Sequence, residues 1–280
     1  MSTLPLDSAF GSNPEAAAHA IEFQDVRIQF EENEVLRGVS FCLPFGETKA
    51  LFGAAGSGKS TILKLALGLL KPDSGRILVL GKDVTQAREQ DLFDLRAKVG
   101  IVFQESALFD SLTVRENVAY RLIEEHGFED PDIEHRVREA LRFVELEPTV
   151  DKFPSELSGG MRRRVAIARA IITQPEVILY DSPTGGLDPV TSNTIIELIT
   201  KQRDVYKTSS LLVTHRLQDA FTMATNEFDP QTNQMHALPR GRYCNVPMSF
   251  LILRDGKVIF DGDVRQLVRS KDEYIQEYIS

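Results

Sequence analysis

The chain of 280 residues contains no tryptophan and only two cysteines, Cys42 and Cys244. Two thiols so remote in sequence, without C-x-x-C spacing, exclude a disulfide framework and fit reduced thiols in a cytoplasmic protein. Positive charge is also scarce: 32 Lys and Arg against 41 Asp and Glu leave a net charge of −9. Nucleic-acid binding rests on neutralising phosphates, so no nucleic-acid partner is expected. The one dense basic run, Arg162-Arg163-Arg164, reads as a solvated or subunit-facing helix surface. No apolar run approaches the roughly 18 residues of a membrane-spanning helix. The first Lys or Arg is Arg27, so the N-terminus lacks the charged start of a signal peptide. Residues 1–19, rich in Ala, Ser and Pro, read as a disordered leader. What remains is long enough for one large domain or two lobes with ample core.

What the chain does have is a glycine-rich loop between an apolar run and a helical one. Gly53-Ala54-Ala55-Gly56-Ser57-Gly58-Lys59-Ser60-Thr61 fits the phosphate-loop pattern G-x-x-x-x-G-K-[ST]. Lys49–Phe52 suits a buried strand, and Ile62–Leu70 suits a helix. Glycines between them let successive backbone N–H groups turn inward around phosphate oxygens, and the helix N-terminus adds partial positive charge. Lys59 would reach the outer phosphates and the Ser60 hydroxyl would ligate magnesium. The motif predicts a nucleoside triphosphate and Mg2+ as ligands.

The rest of the chain reads as α/β. Ile21–Phe30 alternates apolar and polar, as does Val39–Leu43, and Arg76–Leu80 is a third strand of that region. Val99–Phe103, Val177–Tyr180 and Ser210–Val213 are apolar strands of the parallel-sheet kind. Residues 86–98 and most of 105–160 have helical periodicity. Asp255-Gly256 between Phe250–Leu253 and Val258–Phe260 predicts a hairpin.

Downstream of the phosphate loop, Leu157-Ser158-Gly159-Gly160-Met161 resembles the signature motif of ATP-binding cassette (ABC) ATPases. The resemblance extends over about residues 21–222 and 249–262. It implies a P-loop core with an antiparallel β subdomain and an inserted helical subdomain at about 105–160, within one nucleotide-binding domain at 20–262. Residues 226–248, with three prolines, read as a surface-loop insertion, and 263–280 as a helical tail. By the same resemblance Phe30 stacks on adenine, Gln104 contacts magnesium, and Asp181 holds it as the Walker B carboxylate. Gly186-Leu187-Asp188 is the D-loop, and His215 senses the γ-phosphate. Ser158, Gly159, Gly160 and Met161 open a helix whose unpaired N–H groups favour an anion, the nucleotide of a second copy of the chain. ATP would then join two copies.

Ser182 departs from the pattern, because hydrolysing members usually carry glutamate there. A positioned general base supplies roughly 10²–10⁴-fold. Either another group, with His215 foremost, takes its place, or the chain is a slow ATP-driven clamp, or the serine is an introduced change. The stretch Gln104–Val118, where the family docks its permease, and Met161 after the two glycines resemble Mla-type ATPases of phospholipid transport. That implies separate transmembrane permease subunits, an MCE-domain lipid-binding partner, and a peripheral position on the inner face of the cell membrane. A non-hydrolysing regulatory ATP binder and a soluble ABC ATPase unconnected with transport remain the alternatives.

Overall fold

The computed structural model describes residues 19–126, 132–239 and 241–279. Strand β1 (His19–Phe30) turns at Glu31-Glu32 into β2 (Asn33–Pro44), burying alternate side chains as the sequence pattern requires. Strand β3 (Thr48–Gly53), buried along its whole length, feeds the phosphate loop and helix α1 (Lys59–Ala66). Next come β4 (Ser74–Val79), β5 (Lys82–Asp83), α2 (Glu89–Ala97) and β6 (Val99–Val102). Helices α3 (Val114–His126) and α4 (Asp132–Phe143) and two single 3-10 turns lead to α5 (Gly159–Ile171). Strand β7 (Val177–Asp181), α6 (Pro189–Tyr206), β8 (Ser209–Val213) and α7 (Leu217–Thr225) complete the central core.

Two sheets organise these elements. An antiparallel sheet has the order β2-β1-β4-β5. A second, six-stranded sheet runs β12-β11-β3-β8-β7-β6 once β11 (Met248–Arg254) and β12 (Lys257–Asp263) are added. Its strands are parallel except β12, which returns antiparallel through Asp255-Gly256. Alternation along the parallel strands divides the core. Leu51, Leu179, Leu211 and Val213 pack with α1, α2 and the antiparallel sheet. Ile178, Tyr180 and Leu212 face α3 to α6. The catalytic end of such a sheet is expected at the carboxyl ends of its strands, where β3, β7 and β8 stop together.

Two boundaries need correction. Residues 1–18 of the expected leader lie outside the described residues, and His19 already belongs to β1, so the leader does not reach 19. Nor is 226–248 a loop throughout: β9 (Asn226–Asp229) and β10 (Gln234–Ala237) pair as an antiparallel hairpin. Its prolines mislead because Pro230 falls after β9 ends and Pro239 after β10. The hairpin is fastened by the fully buried Arg203, whose guanidinium donates to Met223 O, Asn226 O and both Asp204 oxygens, while Asp204 accepts from Phe228 N at 2.8 Å. The tail forms α8 (Val264–Arg269) and α9 (Glu273–Ile279). Val264, Leu267 and Ile275 pack on Phe52 and Phe250 of the same domain. Among the described residues no helix is long and apolar enough to cross a membrane.

Candidate functional site

The phosphate loop leaves β3 at Gly53 and enters α1 at Gly58, both with positive φ (153° and 97°). A β-carbon on Gly53 would lie 2.5 Å from Ser57 Oγ, and one on Gly58 would lie 2.6 Å from Leu36 Cδ2. Only glycine fits either position, which is why the motif holds its shape. Lys59 folds back over the loop, its Nζ donating to Gly53 O at 2.8 Å, Ala54 O at 2.7 Å and Ser57 Oγ at 3.3 Å. Ala54, Ala55, Gly56 and Ser57 line a cavity of about 420 Å³ with Asn33, Val35, Arg37, Arg254, Asp255 and Tyr274. Thr61 follows within α1. Phe30 ends β1 and is exposed, and it is not among the residues that line this cavity.

Asp181 closes β7 and reaches across to α1, where the Ser60 hydroxyl donates to its Oδ1 at 3.2 Å. These are the two side chains expected at magnesium, and they meet. Burial pulls the Lys59 ammonium pKa down, an effect that Asp181 opposes. Burial pushes the Asp181 carboxyl up, opposed by the Ser60 hydroxyl, Lys64 and Lys59. Both groups therefore sit where desolvation disfavours their charged forms. Phosphate oxygens on the ammonium and a divalent cation on the carboxylate would restore those charges. The residues fit a nucleoside triphosphate with magnesium.

Ser182 lies buried just past the strand with φ 47°, its N–H donating to Val213 O at 2.9 Å. The turn it opens closes with Gly185 N on Ser182 O at 2.9 Å. Gln104 follows β6 and leans on that turn: a β-carbon on Gly185 would lie 3.5 Å from Gln104 Cγ and Nε2. His215 follows β8 and is exposed. Beside it, the buried Asp219 accepts from Thr184 Oγ1 at 2.5 Å and Thr214 Oγ1 at 3.2 Å, so one carboxylate joins the turns after β7 and β8.

The signature residues sit elsewhere on the chain. Ser158 caps α5, its Oγ accepting from Met161 N at 3.2 Å, and Ser158 and Gly159 are exposed. Gly160 abuts α6: a β-carbon there would lie 2.4 Å from Thr191 Cγ2. Asp188 caps α6 through Val190 N, Thr191 N and Thr191 Oγ1, and those hydrogen bonds hold its carboxyl below the usual range. Among the described residues no hydrogen bond joins Ser158–Met161 to Gly53–Thr61.

The reading of Arg162–Arg164 as a solvated or subunit-facing surface fails for Arg163, which is buried, while its two neighbours are half-buried. Arg162 donates to Leu157 O at 2.6 Å and Arg164 to Val144 O at 3.2 Å, while Arg163 is only 4% exposed. Arg163 and Asp219 are the site residues that sequence reasoning missed. Asp219 carried no signal, whereas the apolar run from Val165 placed Arg163 near the buried face of α5.

Comparison with known proteins agrees with this arrangement. A protein-family model described as "ABC transporter" matches residues 36–185. Protein TRIGALACTOSYLDIACYLGLYCEROL 3, chloroplastic, of Arabidopsis thaliana is 37% identical over 92% of this chain and 72% of its own length. A Mycobacterium leprae protein named "Probable ribonucleotide transport ATP-binding protein mkl" is 37% identical over 74% of this chain, which spans 60% of that relative. Among solved structures, the dimeric cassette MJ0796 in a post-hydrolysis state with ADP and Pi superposes with a TM-score of 0.72. It is 29% identical, covering 88% of this chain and 99% of that one. CbiO1 of Clostridium perfringens, part of the transporter complex cbiONQ, superposes at 0.74 with 26% identity, covering 93% and 94%.

Proposed function

Because the chain belongs to the ABC transporter family, we propose that it is the magnesium-dependent ATPase subunit of a lipid transporter. It would work as a pair of copies beneath separate permease subunits on the inner face of the membrane, with an MCE-domain protein carrying the lipid. The Ser60–Asp181 contact at the mouth of the phosphate loop carries the nucleotide part of this reading. Lys59 and the loop N–H groups would hold the outer phosphates, and Ser60, Asp181 and Gln104 would hold magnesium. The metal would supply charge neutralisation at the transferred phosphoryl group. Among the described residues of the protomer no hydrogen bond joins signature and phosphate loop, and a related cassette crystallised as a dimer with ADP and Pi. Both support a site completed by a second copy.

The lipid part is supported by an Arabidopsis relative that bears a galactolipid's name and aligns along 92% of this chain. A permease has a place to dock. Phe93, Phe103, Phe109 and Tyr120, all substantially exposed, line a groove of about 560 Å³ beside the segment after Gln104. Exposed aromatic clusters of this kind mark protein contacts.

The test is transfer of phospholipid between vesicles by the complex purified with its own permease. ATP should drive transfer, and Lys59→Ala should abolish nucleotide retention and transfer together. A complex whose ATPase responds to another solute and that moves no lipid would overturn the lipid reading. A Lys59→Ala protein that retains ATP like the parent would overturn the site. Ser182 favours one second reading, a slow ATP-driven clamp, which parent complex without measurable turnover would support.

A further inference from the structure

The buried Arg163 sits on α5, the helix that begins at the signature. Its guanidinium touches three main-chain carbonyls from two other segments. Nη1 donates to Phe103 O at 3.4 Å and Ser182 O at 3.2 Å, and Nη2 donates to Gly185 O at 3.3 Å. Phe103 precedes Gln104, and Ser182 and Gly185 bound the turn on which Gln104 leans. One side chain thus bonds directly to both the glutamine segment and the serine turn, and anchors them to the signature helix.

The quality of these bonds separates Arg163 from an arginine that only cements the fold. Arg203, also buried, makes contacts of 2.5–3.0 Å and faces a carboxylate with two of its nitrogens. Among the described residues Arg163 has no carboxylate partner within hydrogen-bond reach and its buried Nε has no partner, while its contacts lie at the long end of the range. A half-satisfied buried cation costs stability wherever it stands. Such bonds have room to shorten when the surrounding segments move, as catalytic hydrogen bonds often do between open and closed states. Burial lowers the guanidinium pKa, with Glu105 opposing, and an arginine keeps its charge even so. Arg169, also on α5, donates to Ser106 O and Ala107 O at 2.8 Å, so the helix holds the chain on both sides of Gln104.

We infer that Arg163 is a positioning residue for ATP hydrolysis, setting Gln104 and the Ser182 turn in register with the signature helix. The inference rests on the hydrolytic reading above. It makes movement of the docking segment and movement of the signature helix two ends of one linkage, with the Ser182 turn between them. Nucleotide binding to the phosphate loop is outside that linkage, since Arg163 makes no hydrogen bond to Gly53–Thr61.

The experiment is steady-state ATP hydrolysis by the full transporter complex carrying Arg163→Met or Arg163→Lys, in the parent and in a Ser182→Glu background. Measurements are made well below each variant's melting temperature. Arg163→Met keeps the reach and apolar stem but removes every donor. It should lower kcat on the order of 10²-fold, the cost of a small misplacement of reacting groups, with KM nearly unchanged. Arg163→Lys restores one cationic donor and should recover part of that loss. A Met variant whose KM rises at constant kcat, or whose kcat is unaffected in a hydrolysing background, overturns the inference. So does a Lys variant as impaired as Met. A parent that fails to hydrolyse ATP even with Ser182→Glu overturns the hydrolytic reading, and this inference with it.

Discussion

Ser182 follows Asp181 at the end of β7, and its backbone shows how firmly that position is fixed. The N–H is tied to Val213 O, the carbonyl accepts from Gly185 N and Arg163, and φ is 47°, a conformation costly for a residue other than glycine. A side chain placed here is therefore aimed by its surroundings. If the missing carboxylate limits the chemistry, Ser182→Glu should speed single-turnover hydrolysis by up to roughly 10²–10⁴-fold. If the exposed His215 substitutes as base or orients the water, His215→Ala in the parent should abolish the residual rate. An unchanged rate in Ser182→Glu beside a fast parent would show that another group already serves. At this scale the sequence was informative where a residue acts through its own chemistry in a fixed pattern: Lys59, Ser60 and Asp181 meet at one place. It was silent where a residue acts through main-chain carbonyls. Arg163 and Asp219 bond to groups with no sequence signature, so only folding reveals their partners.

Among elements, α5 shows how a helix start is specified and what it then constrains. Ser158 caps it and two glycines follow, a start that propensity alone would not choose for a helix of 13 residues. The reason for the second glycine is contact. Gly160 lies against Thr191, whose hydroxyl is held by Asp188 at 2.5 Å, so the methyl cannot simply turn away. Gly160→Ala should therefore overpack the α5–α6 junction and cost about 1–3 kcal/mol in urea unfolding. Gly159→Ala, with its nearest neighbour at 3.7 Å, should cost less despite the same change in chemistry. Equal losses would show that helix propensity, not the Thr191 contact, governs the site. The strands of the central sheet were legible because buried parallel strands read as short apolar runs. The hairpin at β9 and β10 was not, since its anchor is Arg203 on a distant helix and its own residues are half exposed.

On the scale of the whole molecule, the three regions given roles above draw on different residues of one chain. The phosphate loop and the aromatic groove are lined by different residues, and α5, through Arg163 and Arg169, bonds to the segment on either side of Gln104 that borders the groove. If the groove receives a permease, Phe93→Asp should leave nucleotide retention by the isolated chain intact, because Phe93 is 63% exposed and is not among the residues lining the phosphate-loop cavity. It should strip the chain from its complex during purification. A variant that still copurifies at parental levels would place the permease elsewhere.

Among the described residues no hydrogen bond joins Ser158–Met161 to the phosphate loop of the same protomer. A protomer that cannot bring Ser158 to its own phosphates needs a second copy to use the helix N-terminus as an anion site. Ala55 and Ser158 are both exposed, so thiols placed there are accessible. With Cys42 and Cys244 replaced by serine, a mixture of Ala55→Cys and Ser158→Cys chains should form disulfide-linked pairs of unlike variants when ATP and magnesium are present. Lys59→Ala introduced beside Ala55→Cys should prevent them, since the nucleotide would no longer hold the two faces together. The doubly substituted chain provides the opposing case. If Ala55→Cys with Ser158→Cys closes a disulfide within one monomer and the mixed variants never crosslink, the site is complete in a single copy, and the dimeric mechanism fails.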